Sequence, residues 1–105
     1  MTHEGVIEEV GRRLADAAPP RSQVVLFGSR ARGAAHAGAD VDVLVIEPSV
    51  EDPISESVRL RRTLRGLGVP IDVVVFARDD AERRAAVRGT VVERALREGR
   101  ILVDA

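Results

Sequence analysis

The chain has 105 residues, with 16 basic and 17 acidic side chains, a net charge of -1, two phenylalanines as its only aromatic residues and no cysteine. This length supports one modest core in a single domain spanning 1–105, without room for a second substrate-binding lobe. The near-neutral charge and lack of a stacking platform exclude a general nucleic-acid binder, and the absence of cysteine excludes a disulfide scaffold and thiolate metal sites.

In chain order, residues 2 to 17 place Val6, Ile7, Val10 and Leu14 on one helical stripe, with Thr2 as N-cap and Pro19-Pro20 as terminator. Gln23 to Phe27 is an apolar strand that breaks at Gly28, where a backbone without a Cβ can approach a phosphate. Ser29, Arg30 and Arg32 follow, and His36, further along this loop, is assigned no role. The second strand is Asp40 to Ile46, whose period-two geometry sends Asp40 and Asp42 to one face and Val41 and Val43 to the other. Paired carboxylates repel, and burying them costs several kcal/mol unless a cation neutralises them. A hard divalent ion that takes oxygen ligands and keeps its waters, such as magnesium, suits such a pair.

Asp52 and Pro53 open a second helix, with Ile54, Val58, Leu60, Leu64 and Leu67 as its apolar stripe and glycines 66 and 68 weakening its end. The arginines at 59, 61, 62 and 65 read as a solvated face that an acidic partner surface could also use. Val69 to Phe76 is the third strand, and Asp72 is its only charge. Its β-branched neighbours favour a buried strand over a water-facing edge, so Asp72 is expected to join the other two aspartates at a metal or to accept a proton. Asp79 with Glu82, and Thr90 with Glu93, match capping boxes for two short helices. Gly99 then stops the last helix, and residues 101 to 103 dock as an edge segment. The expected fold class is α/β (α+β), a small mixed sheet of three to four strands with helices packed on it.

Leu26-Phe27-Gly28-Ser29-Arg30-Ala31-Arg32-Gly33, the ten residues between Ser29 and Asp40, Asp40-Val41-Asp42 and the later Asp72 together carry a family resemblance. The chain resembles the nucleotidyltransferase superfamily related to DNA polymerase beta, and within it the minimal antitoxin branch of the MntA/HepT type. The resemblance implies that Gly28 and Ser29 hold the β and γ phosphates of ATP. It also implies that Asp40 and Asp42 bind two Mg2+ ions and that Asp72 completes one site and assists deprotonation of the acceptor. Arg30 and Arg32 match basic positions of the family that neutralise triphosphate charge. Ala39 stands where the family often has serine, which removes a hydroxyl but no metal ligand.

The reaction implied by the resemblance is transfer of AMP from ATP to a tyrosine of a HEPN-domain (HepT-type) toxin, in a hetero-oligomer or with a homodimer as the alternative assembly. Two other functions compete with it: a non-catalytic antitoxin acting by complex formation, and a nucleotidyltransferase for small molecules such as aminoglycosides. No apolar run approaches the length of a membrane span and the N-terminus lacks the apolar core of a signal peptide, so the expected setting is the cytoplasm with no membrane partner.

Overall fold

The computed structural model describes residues 2–28 and 40–104. Its helices are α1 (His3–Ala17), α2 (Pro53–Arg62), α3 (Arg78–Ala85) and α4 (Val91–Glu98), and its strands are β1 (Gln23–Phe27), β2 (Val41–Glu47), β3 (Ile71–Ala77) and β4 (Arg100–Asp104). The strands form one mixed sheet in the order β3-β2-β1-β4. β1 runs antiparallel to both β2 and β4, whereas β2 and β3 are parallel. A parallel pair needs a crossover, and α2 provides it.

Alternation along the strands splits the core into two layers. Val41, Val43 and Val45 point to the face covered by α1 and α2, where they pack with Val6, Val10, Leu14, Leu60 and Leu64. Val25, Leu44 and Ile46 point the other way, against Ala81 of α3 and Val92 and Ala95 of α4, with Phe27 and Phe76 packed on the rim. No helix among the described residues is long and apolar enough to cross a membrane.

The helix ends follow their local chemistry. The Thr2 hydroxyl accepts from the Gly5 amide at 3.0 Å, and Asp52 Oδ1 accepts from the amides of Ile54 and Ser55 at 3.2 Å. Asp52→Ala should therefore cost about 1 kcal/mol, read from urea denaturation. An unchanged midpoint would mean that Pro53 alone sets this helix start. At the other end of α2 the Arg13 guanidinium donates to the carbonyls of Thr63 and Arg65 at 3.2 and 2.8 Å, satisfying acceptors that a helix terminus leaves open. Thr90 caps α4 as expected, accepting from the Glu93 amide at 3.2 Å, although Glu93 reaches back to the amide of Gly89.

Some expectations are corrected. α3 starts at Arg78 behind Ala77, which has no capping side chain, so Asp79 lies inside the first turn and is not a cap. Ile54 is 78% exposed and belongs to no apolar stripe; Leu60 is the first residue of α2 buried in the core. β3 is an edge strand and Asp72 is exposed, contrary to the buried strand its β-branched run suggested. The run is apolar because α2 covers one of its faces.

Candidate active site

β1 ends and β2 and β3 begin on the same edge of the sheet. Asp42 is opposite Phe27 across the antiparallel pair and opposite Asp72 across the parallel pair. Residues opposite each other in adjacent strands share a face about 4.8 Å apart, so the carboxylates of Asp42 and Asp72 are neighbours. The amide of Val41 donates to the Pro70 carbonyl at 2.9 Å, which fixes the entry to β3 beside the entry to β2. Asp40, exposed, stands just ahead of β2.

Gly28 closes this arrangement from the β1 side. Its φ is +80°, and a Cβ built on it would lie 2.6 Å from Asp42 Oδ2. Both the backbone conformation and the approach of the carboxylate require glycine here. Gly28→Ala should combine left-handed strain with displacement of the Asp42 side chain, costing about 1–3 kcal/mol. A thermal melt of the variant measures this, and an unaltered Tm would show that the turn relaxes freely.

Asp42 is half-buried, and its pKa is raised first by burial, then by the charges of Asp72 and Asp40. Uncompensated negative charge held at a strand edge is what a hard cation would relieve, and the donors are all carboxylate oxygens, the set that magnesium takes. Among the described residues no group of three His, Cys, Asp or Glu side chains is close enough to enclose a metal. Carboxylate oxygens of this kind are the donors that an open magnesium site, completed by water and ligand oxygens, would use.

The sequence-derived set divides accordingly. Gly28, Asp40, Asp42 and Asp72 are brought to one edge; Ser29, Arg30 and Arg32, with His36 and Ala39, lie outside the described residues.

A second ionisable cluster, at the far end of β2, escaped the sequence reading. Glu47 is only 2% exposed and shares the face of Val41, Val43 and Val45, a placement that continuing the alternation one residue further would have revealed. Burial, then its hydrogen bond and charge contact with Glu56, push its carboxyl up to about 8, opposed by Arg59. Its Oε2 is buried with no donor facing it, as befits a protonated carboxyl that gives its own proton to Glu56. Arg59 grips Glu56 with two bonds of 2.7 Å and also donates to the Ala17 carbonyl at 2.9 Å, tying α2 to the end of α1.

The family model described as "Nucleotidyltransferase domain" matches residues 6–102. No curated protein sequence matches the chain. A solved structure described as a toxin-antitoxin with AMP-PNP is 22% identical with a TM-score of 0.65, covering 93% of this chain and 73% of that one. A nucleotidyltransferase structure from Sulfolobus solfataricus, itself described as a candidate, is 24% identical with a TM-score of 0.58, covering 77% of this chain and 72% of that one. The toxin-antitoxin MntA-HepT is 18% identical with a TM-score of 0.61, covering 97% of this chain and 73% of that one. At these identities the likeness is one of fold.

Proposed function

Because the chain belongs to the nucleotidyltransferase domain family, we propose that it transfers AMP from ATP to a tyrosine hydroxyl of a HEPN-type toxin and so acts as that toxin's antitoxin. The observation that carries the reading is the in-register pair Asp42 and Asp72 beside the Gly28 turn, with Asp40 at the same edge. Toxin-antitoxin structures of the same fold, one of them with AMP-PNP, support the choice of nucleotide and partner.

Asp40 and Asp42 would hold two magnesium ions, and Asp72 would complete one of these sites. When bound, such ions stabilise the charge on the attacking and leaving oxygens of an in-line displacement. The chain's own groups do the rest. Gly28 and Ser29 would hold the β and γ phosphates, while Arg30 and Arg32 would neutralise triphosphate charge. Asp72, exposed at the edge strand, accepts the proton of the tyrosine hydroxyl. The tyrosine oxygen forms a bond to the α-phosphorus, the bond from that phosphorus to the β-phosphate oxygen breaks, and pyrophosphate leaves.

The direct test is incubation of the protein with ATP labelled at the α-phosphate, magnesium and a co-purified HEPN partner. Label should appear on a partner tyrosine. Absence of label, with the partner still neutralised by an Asp40→Asn/Asp42→Asn variant, would replace transfer by neutralisation through complex formation.

A further inference from the structure

Most arginine clusters of this protein are answered by acids one helical turn away. Arg12 and Arg13 pair with Glu9, Arg59 with Glu56, Arg83 and Arg84 with Asp80, and Arg97 with Glu93. The end of α2 is different. Arg61, Arg62 and Arg65 are all exposed and crowded within five residues, and none of them forms an ion pair among the described residues. Their charge is not needed to cap α2, since Arg13 already donates to the Thr63 and Arg65 carbonyls. Like charges packed into one turn repel, a cost that the α2 C-terminus offsets in part and that no acid among the described residues relieves by pairing.

Its position gives that cost a use. Arg61 and Arg65 flank an open groove whose floor is Leu64, Leu67, Val69 and Pro70. The groove ends where the Pro70 carbonyl meets the Val41 amide, at the end of the sheet where β2 and β3 begin, and on the face opposite Asp42 and Asp72. An apolar floor with an arginine rim is the anatomy of a protein-binding surface, and guanidinium forks match carboxylates in paired hydrogen bonds. Nucleic acid is the poorer fit, because the net charge is -1 and neither phenylalanine lies in the groove.

We propose that Arg61, Arg62 and Arg65, with the groove of residues 64 to 70, form the docking surface for an acidic segment of the protein acceptor. This rests on the reading of the aspartate site, at the same end of the sheet, as one that modifies a protein. The groove holds the acceptor at the end of the sheet where the aspartates stand, approaching from the opposite face.

The test uses the whole chain with three probes: a fluorescent hexaglutamate peptide, a fluorescent oligouridylate of equal charge, and ATP with magnesium. The peptide should bind in a salt-dependent manner, and the Arg61→Ala/Arg62→Ala/Arg65→Ala variant should weaken it at least tenfold. ATP binding should be unchanged in the variant, which shows it to be folded. A failure of ATP binding in the unaltered protein would count against the nucleotide site alone, leaving the peptide result to judge the groove. Failure of the peptide to bind, a variant that binds it equally well, or stronger arginine-dependent binding of the oligouridylate would overturn the proposal.

Discussion

Asp42→Asn is expected to lower the rate of nucleotidyl transfer roughly a thousandfold while leaving the protein more stable than before. The two effects have one cause. Burial, Asp72 and Asp40 all raise the pKa of Asp42, so its ionised form is unfavourable in the fold until a cation arrives. Asparagine keeps the shape, removes the repulsion and removes the charge proposed to bind magnesium. A folded-state pKa raised above the unfolded value means stability that is fully present at low pH and lost as pH rises through the raised value. The substitution should therefore raise Tm most at neutral and alkaline pH in the absence of magnesium. Adding magnesium should stabilise the unaltered protein and not the variant. Thermal melts with and without the ion, set beside transfer assays, check both halves; a variant that is less stable and still responds to magnesium would contradict the account.

The second large effect concerns Glu47. Its carboxyl is pushed up to about 8 inside the fold, against an ordinary 4.5. It therefore contributes stability in full below about pH 4.5 and loses that contribution as pH climbs to about 8, where the loss levels off. Glu56 has a lowered pKa, chiefly through its hydrogen bonds from Arg59, and acts in the opposite sense: its contribution is present above the ordinary value and lost on acidification. Between about pH 5 and 8 the Glu47 loss dominates, on the order of 3 kcal/mol. Glu47→Gln retains a donor toward Glu56 without a charge to titrate. Urea unfolding across this range should show a falling profile for the unaltered protein and a flatter one for the variant, with the gap widest at pH 8 and above. Parallel profiles would place the proton elsewhere.

The legible parts of the fold are those governed by local chemistry. Thr2 and Asp52 accept from the amides of their own helix starts, β1 occupies the run expected of it, and Gly99 ends α4. At the site, Gly28, Asp40 and Asp42 share one edge through strand periodicity and the glycine break, whereas Asp72 joins them only through the parallel pairing of β3 with β2. The illegible parts depend on which element covers which. β3 is apolar because α2 lies across it, and its sequence cannot distinguish that cover from a neighbouring strand. Asp79 obeys a capping pattern, but β3 continues to Ala77 and α3 follows at once, leaving no unwound residue for a cap at Asp79. Ile54 has the spacing of a core residue on a turn that does not reach the core. Glu47 is the clearest case: a charge at a strand end normally faces water, and only Glu56 and Arg59 of α2 make its burial tolerable.

The parallel pairing of β2 with β3 also governs when the site can exist during folding. Asp42 and Asp72 meet only after the chain has travelled out along β2, back through α2 and into register, whereas β1 and β4 meet their partners in antiparallel fashion. A slip of one residue in β3 would turn Asp72 to the opposite face of the sheet and bring Ile71 or Val73 beside Asp42. Contacts that close long loops form late and slowly. In a refolding experiment, nucleotide binding should return after helical structure, making the site a clock for the register of the β2–β3 pair.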